Sequence, residues 1–155
     1  MIEQYDISLA VATDAAAIAA LSRDTIEHGL PWCWTALRVA RSIRDRSTNV
    51  VVARHPRALL GFAIMKYEED EAHLLLLAVQ PHQRRKGIGS ALLGWLETTV
   101  GVAGIGTVRL ETRARNLEAR HFYRRHGFVE GGVQEGYYQG LEDALEMRKD
   151  LRRRG

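Results

Sequence analysis

Residues 82–97, HQRRKGIGSALLGWLE, place a group of cations and two glycines directly before the pattern of an amphipathic helix. The first N–H groups of a helix have no partner within it, and the helix dipole adds partial positive charge, so a helix start can hold a phosphate group. Gly87 and Gly89 would let the main chain approach such a ligand without an intervening Cβ atom. The predicted donors are the N–H groups of Arg84, Arg85, Lys86, Gly87, Ile88, Gly89 and Ser90.

The alternative is a surface helix that simply begins with basic residues. Exposed cations at a helix N-terminus oppose the dipole by about 0.3–1 kcal/mol each, so Arg84, Arg85 and Lys86 would be poorly placed without an anion nearby. Two phosphate motifs are absent from the stretch: it has no G-x-x-x-x-G-K-S/T loop, and it lacks the third glycine of the dinucleotide fingerprint. The pattern therefore favours phosphate binding, but by a loop that differs from both of those motifs.

The elements beside this turn have clear patterns. Residues 72–79, AHLLLLAV, form a continuous apolar run, which is typical of a strand covered on both faces, and Pro81 ends it. After the turn, residues recur at helical spacing on one face and predict a helix. Those positions are Ile88, Leu92, Trp95, Leu96 and Thr99.

The rest of the chain divides into short elements. Residues 9–29 predict a short strand and a helix with Thr13 as N-cap and Gly29 at its end, and residues 30–47 predict a second helix capped by Thr35. Further strands are predicted at 49–54, 59–67, 108–113, 128–134 and 144–151. Residues 116–127 predict a helix with Asn116 as N-cap and Gly127 at its end. The order β-α-α-β-β-β-α-β-α-β-β implies a mixed α/β or α+β sheet with at least one parallel pair.

Length and composition indicate an ordinary globular protein. The 155 residues, 46% of them hydrophobic and 26% charged, predict a single domain over 1–155. The sequence has no apolar run of about 20 residues, so we expect no membrane span. Its start does not show a basic region followed by an apolar one, so we expect no secretory signal and a cytoplasmic protein. The single cysteine, Cys33, excludes an internal disulfide. Clustered arginines indicate an anionic partner, although solvated faces explain most clusters equally well.

Three segments carry a resemblance to a known family. RRKGIG (84–89) resembles the Q/R-x-x-G-x-G/A loop of the GNAT superfamily of acetyl-CoA-dependent N-acetyltransferases, and LETRARNLEARHFYRRHGF (110–128) is similar to a second motif of that family. GYYQGLEDALEM (136–147) resembles the C-terminal region of the RimI-type protein N-terminal acetyltransferases. The resemblance spans about residues 72–150. It implies the GNAT fold, a mostly antiparallel mixed sheet with a splayed parallel pair and about four flanking helices.

The resemblance also implies roles for individual residues. The main chain of Leu77, Ala78 and Val79 would bind the pantetheine arm of acetyl-CoA, and the N–H groups of 84–90 would hold its pyrophosphate. Asn116 would hydrogen-bond the pantetheine. In the same family pattern, Tyr123 lies near the sulfur as general acid, Glu111 is the base, acting directly or through water, and the Val79 N–H is the oxyanion donor.

Structural explanations remain open for these polar residues. Glu111 could be a partly exposed glutamate paired with Arg109 or Arg113. Tyr123 could be an amphipathic core tyrosine, and His73 either a second proton-transfer group or a hydrogen-bonded core histidine. Cys33 has no obvious base and is expected to be inert, which leaves direct transfer from thioester to amine. No histidine shows a recognised zinc spacing with this cysteine, so we expect no metal.

The acceptor is indicated least clearly. By resemblance, Tyr137 and Tyr138 would line a slot for an extended peptide N-terminus, or else simply stabilise the last hairpin. The 27–35 loop, with Trp32 and Trp34, falls where such enzymes build the acceptor wall. The expected function is acetyl transfer to a primary amine, a protein or peptide α-amine first and a small-molecule amine second. A non-catalytic acetyl-CoA sensor and a nucleic-acid binder fit less well, and the oligomeric state is left open, a homodimer included.

Overall fold

The computed structural model describes residues 4–152. Residues 1–3, at the start where we expect no secretory signal, and residues 153–155, in the last cluster of arginines, lie outside it. The strands are β1 (Asp6–Leu9), β2 (Thr48–His55), β3 (Ala58–Tyr67), β4 (Ala72–Val79), β5 (Thr107–Arg113), β6 (Val129–Tyr138) and β7 (Glu142–Asp150). The α-helices are α1 (Ala15–Leu21), α2 (Ala36–Arg44), α3 (Ile88–Val102) and α4 (Leu117–Arg125). The predicted order of elements is confirmed.

The described strands form one sheet in the order β1-β2-β3-β4-β5-β7-β6. Every neighbouring pair is antiparallel except β4 and β5, which are parallel. Short turns join β2 to β3, β3 to β4 and β6 to β7, whereas α1 and α2 lie between β1 and β2, and the parallel pair needs α3 as its crossover. This confirms the expected mixed, mostly antiparallel sheet with flanking helices.

Two apolar layers cover the sheet. One face packs against α1 and α2, and its core includes Ile18, Leu21, Val39, Val52, Phe62 and Ile64. The other face packs against α3 and α4, with Leu92, Leu96, Leu110, Tyr123, Phe128 and Met147 in its core. The alternation of the strands sends their side chains to the two layers in turn.

The first helix differs from the prediction at both ends. The strand before it lies at Asp6–Leu9, earlier than expected, and a 3₁₀ turn at Ala12–Asp14 leads into the helix. Thr13 is not the cap, because it lies within this turn and Asp14 occupies the N-cap position, where its carboxylate accepts the Val11 N–H at 2.8 Å. The helix continues into a π-helical turn at Ser22–Ile26 and ends before Gly29. By contrast, Thr35 caps α2 as predicted, accepting the Arg38 N–H at 3.3 Å.

The parallel pair separates along its length. β4 pairs with β5 only through Ala72–Leu74, whereas β5 goes on pairing with β7 as far as Arg113. The register of β4 against β3 shifts at the same place, because Leu75 is an extra residue without a partner on β3. Such a bulge bends its strand and increases the local twist. The second half of β4 therefore faces an open cleft on the β5 side.

Candidate active site

The turn after β4 has the backbone that an anion site needs. Arg85 adopts a left-handed conformation at φ 65° and Gly87 another at φ 81°. Alternating left-handed and ordinary residues point successive N–H groups into one concave surface. Gly87 precedes α3, and no side chain among residues 4–152 caps the helix start, so its first N–H groups stay available. The exposed Arg84, Arg85 and Lys86 surround this turn.

Gly89 has a packing role in addition to the one the sequence suggested. A Cβ atom at this position would lie 3.3 Å from two ring carbons of Phe122, so the missing side chain allows α3 to pack closely on α4. Next to it, the hydroxyl of Ser90 is 2.8 Å from Nε2 of His126, which also joins the two helices. At Gly87 no atom lies within 4 Å of the added Cβ, so only its backbone conformation calls for glycine.

The open edge of β4 presents main-chain groups to the cleft. The N–H of Gln80 bonds to the carbonyl of Leu60 on β3 at 2.8 Å. Because successive residues of a strand point their main-chain groups to opposite edges, Val79 and Leu77 direct theirs to the β5 side. Ala78 lies between them and pairs with Phe62, so its main-chain groups face β3.

Asn116 and Tyr123 lie on the helix that follows β5. Asn116 caps α4, since its Oδ1 accepts the Ala119 N–H at 3.1 Å, and this exposed cap leaves its amide nitrogen free to donate. Tyr123 is buried between the rings of Phe122 and Phe128, both in edge-to-face contact with it. Burial raises the pKa of the Tyr123 hydroxyl group well above its ordinary value of 10.0, so it stays protonated.

Glu111 is a buried carboxylate surrounded by donors. Its side chain is 4% exposed and accepts from His73 at 2.5 Å and from Arg109 at 2.7 Å. The Tyr137 hydroxyl donates to it at 3.2 Å. Burial raises the pKa of Glu111, but the hydrogen bond from His73 and the attraction of His73 and Arg109 outweigh it, so the pKa lies below 4.5. Glu111 is therefore ionised at neutral pH.

These contacts answer part of what the sequence left open. Arg109 does pair with Glu111, but the carboxylate is buried rather than partly exposed. Arg113 instead pairs with Glu142 at 2.9 Å. His73 is hydrogen-bonded, and its partner is Glu111 itself. Arg109 also pairs with Glu71, which continues the charged cluster away from the cleft.

Loops, rather than helices, enclose Glu111 on its face of the sheet. α1 and α2 lie over β2 and β3, whereas Glu111 and Arg113 project from β5 on the same side of the sheet as these helices. Arg113 donates to the carbonyl of Ile26 at 2.7 Å, which ties β5 to the end of the π-helical turn. Tyr137 approaches from the end of β6. Two segments distant in sequence thus meet above the strand.

The aromatic residues expected at the acceptor wall are placed differently from one another. Trp32 is 43% exposed. Trp34 is half-buried and packs against the α1–α2 core, with the Arg38 guanidinium 3.8 Å above its ring. Tyr137 and Tyr138 contact each other edge to face. Burial and the neighbouring Tyr137 raise the pKa of the Tyr138 hydroxyl above its ordinary range.

The sequence did not reveal three residues that hold these segments together. Glu27 is buried and accepts the N–H groups of Cys33 and Trp34. Gln139, at φ 57° in the β6–β7 turn, donates to the carbonyl of Pro31 at 3.3 Å. Arg113 binds both Glu142 and Ile26. Gln139 and Arg113 act on segments that only the fold brings near, and Glu27 acts on the irregular loop beside it, so no helix or strand pattern marks any of them.

Neither a metal-binding cluster nor a membrane-spanning helix is found in the part of the chain that the structure describes. Among residues 4–152, no group of three or more histidine, cysteine, aspartate or glutamate side chains is arranged to hold a metal ion. None of the helices in this part of the chain has both the length and the apolar character to cross a membrane. Cys33 is a free, exposed thiol whose sulfur accepts from Gln139.

Comparison with known proteins connects this geometry to a family. The acetyltransferase (GNAT) domain model matches residues 46–130. The chain is 34% identical over 123 residues to the ribosomal protein bS18-alanine N-acetyltransferase of Escherichia coli strain K12, covering 77% of this chain and 81% of that protein. The crystal structure of the ribosomal-protein-S18-alanine N-acetyltransferase from E. coli matches with a TM-score of 0.82 and 30% identity, over 98% of this chain and 97% of the other.

A third similarity supports the fold alone. The PaiA N-acetyltransferase of Thermoplasma acidophilum, solved in complex with coenzyme A, has a TM-score of 0.77 at 22% identity, covering 95% of this chain and 99% of the other. The splayed parallel pair, the glycine-containing turn and the matched family model agree with one another. This chain belongs to the GNAT superfamily and is an acetyltransferase.

Proposed function

We propose that the protein transfers the acetyl group of acetyl-CoA to the α-amine of a protein or peptide N-terminus. One observation carries the proposal: the ionised Glu111 lies at the cleft, in contact with Tyr137 of the segment that resembles the peptide-binding region of RimI-type enzymes. The 34% identity to an alanine N-acetyltransferase supports the same acceptor class.

The coenzyme fits the open side of β4 and the turn that follows it. Leu77 and Val79 direct main-chain groups into the cleft, where an extended pantetheine arm can pair as an added strand. The N–H groups of residues 84–90 and the three adjacent cations suit the pyrophosphate, and the free amide nitrogen of Asn116 suits a pantetheine carbonyl. Acetyl-CoA supplies the acetyl group as an activated thioester.

The chain's own groups manage the protons and charge of the transfer. Glu111 accepts the proton that the acceptor amine must lose, directly or through water. The Val79 N–H, which points into the cleft, stabilises the negative charge that develops on the carbonyl oxygen. Tyr123, kept protonated by burial, donates its hydroxyl proton to the departing thiolate. Acetyl transfer is direct in this proposal, because the Cys33 Sγ accepts a hydrogen bond from the Gln139 amide, which cannot act as a base toward it.

Tyr137, Tyr138 and Trp32 would form the walls that receive the acceptor. Tyrosine rings offer an apolar face and a hydroxyl group, which suits an extended main chain that carries its own donors and acceptors. The bond from Gln139 to Pro31 joins the two walls. This enclosure favours a narrow, extended chain end over a bulky ring system.

Thiol release from acetyl-CoA tests the proposal on a panel of N-terminal peptides, N-terminally blocked lysine peptides, polyamines and amino sugars. We expect release only with free N-terminal peptides, and almost none with the Glu111→Gln variant. Release with small amines alone would replace the acceptor class while leaving the acetyltransferase activity intact. Coenzyme binding with no release on any amine would indicate a sensor and overturn the proposal.

A further inference from the structure

Glu27 is a buried carboxylate that the proposed mechanism does not use. It follows the π-helical turn, is 7% exposed, and is the first residue of the 27–35 loop, which carries Trp32. Its Oε1 accepts the N–H of Cys33 at 2.6 Å and that of Trp34 at 3.1 Å, and its Oε2 accepts the hydroxyl of Ser22 at 2.8 Å. These contacts bring the two ends of the 27–35 loop together around one side chain.

We propose that Glu27 is the positioning residue of the acceptor site: it sets the shape of the 27–35 loop and thereby the affinity for the acceptor, but not for the coenzyme. The inference rests on the proposed function, which places this loop at the acceptor wall. Hydrogen bonds to an ionised group are stronger than those between neutral groups. One buried carboxylate with three donors can therefore hold a loop that has no regular structure of its own.

The loop is also held on its outer side. Gln139 donates to the carbonyl of Pro31, and Arg113 donates to the carbonyl of Ile26, just before Glu27. Gln139 is two residues from Tyr137, whose hydroxyl contacts Glu111. A shift of the loop is thus transmitted to the hairpin beside the base.

The coenzyme elements are separate from this arrangement. The open edge of β4 is held by β3, and the turn at 84–87 leads into α3, which packs on the other face of the sheet. Within residues 4–152 the Glu27 side chain hydrogen-bonds to Ser22, Cys33 and Trp34, and none of these three belongs to either element. Loss of Glu27 should therefore change the two Michaelis constants unequally.

The experiment compares four proteins in steady-state kinetics, varying acceptor peptide and acetyl-CoA in turn. For Glu27→Ala we expect the acceptor KM to rise at least tenfold, with the acetyl-CoA KM within twofold of wild type. Glu27→Gln keeps an oxygen for the two N–H groups and should restore the acceptor KM to within about threefold. Asp14→Ala is the matched control: Asp14 is also buried, accepts the Val11 N–H and pairs with Arg54, but lies at the opposite end of α1.

Hydrogen exchange gives a readout that does not depend on activity. In Glu27→Ala the amides of Cys33 and Trp34 should lose protection, whereas in Asp14→Ala they should keep it. The inference is overturned if Glu27→Ala has the same acceptor KM as wild type. It is also overturned if Glu27→Ala and Asp14→Ala change the acceptor KM and the acetyl-CoA KM to the same extent. If wild type uses a small amine instead of a peptide, the proposed function fails, and the same KM comparison with that amine still decides the role of Glu27.

Discussion

Nε2 of His73 lies 2.5 Å from Oε1 of Glu111, although the two residues are 38 positions apart and on different strands. The parallel register places His73 beside Arg109, so Glu111 is its diagonal neighbour, one residue beyond the last paired position of β5 at Leu110. The pair therefore stands at the inner end of the cleft. There His73 can both orient the carboxylate and hold it ionised.

Removal of His73 should change the pH dependence of the reaction. Burial raises the pKa of Glu111, and the hydrogen bond from His73 is the foremost opposing influence, so in His73→Ala the pKa of Glu111 should move upward. A larger fraction of Glu111 is then protonated at low pH. We expect kcat to fall more at pH 6 than at pH 8. Equal losses across a pH–rate profile would assign His73 a structural role alone.

Replacement of Glu111, the proposed base, should strongly lower kcat. Glu111→Gln keeps the shape of the side chain but removes its capacity to accept a proton, so kcat should fall about a hundredfold or more. The matched control is Glu146→Gln, because Glu146 lies opposite Glu111 on β7 and pairs with Arg148 at the surface. That variant should keep kcat within twofold. Similar rates for the two variants in the thiol-release assay would remove Glu111 from the mechanism.

Tyr123→Phe separates chemistry from packing. The ring fills the space between Phe122 and Phe128, and phenylalanine preserves that contact. Only the protonated hydroxyl group is lost, so kcat should fall about a hundredfold while the Kd for coenzyme A changes less than threefold. Thermal unfolding serves as the check on packing. An unchanged kcat would leave Tyr123 as a core tyrosine without a catalytic role.

The sequence predicted the parts of the molecule that depend on local pattern. The apolar run of β4, the spacing of α3 and the caps at Thr35 and Asn116 all follow from neighbours within a few residues, and all are found in the structure. The order of elements along the chain and the presence of a parallel pair also followed from the sequence. Resemblance to a family added the candidate base and acid.

Contacts between distant segments could not be predicted in this way. Thr13 had the right side chain for a cap, but it lies inside the 3₁₀ turn at Ala12–Asp14, where Asp14 accepts the Val11 N–H and reaches Arg54 on β2. Gly89 was expected to help hold a phosphate, and the fold adds a packing role, because Phe122 on α4 lies against it. Trp34 was expected at the acceptor wall, and the structure adds that it packs on the α1–α2 core beneath Arg38. The contacts of Asp14 with Arg54 and of Gly89 with Phe122 join elements that are distant in sequence, so local pattern does not show them.

Gly61 allows β3 to approach β4 closely, and β4 is the strand that we propose binds the coenzyme. A Cβ atom at this position would lie 2.8 Å from the carbonyl oxygen of Ala78, a backbone atom that cannot turn aside. Gly61→Ala should therefore lower the free energy of unfolding by about 1–3 kcal/mol. It should also raise the KM for acetyl-CoA, because β4 must shift.

Gly94→Ala is the control for that prediction. Gly94 lies within α3, and no atom is within 4 Å of its added Cβ, so alanine should raise the free energy of unfolding by up to about 1 kcal/mol. Chemical denaturation measures both variants. Equal stability of Gly61→Ala and wild type would show that β3 and β4 are less tightly packed than described.

Identification of the acetylated atom tests the central claim most directly. The substrate is a peptide with a free N-terminal alanine and one internal lysine, incubated with acetyl-CoA and the protein and then fragmented in a mass spectrometer. We predict one acetyl group, on the α-amine of the alanine, with none on the lysine and none when Glu111→Gln replaces wild type. Acetylation of the lysine side chain, with an unmodified N-terminus, would contradict the account.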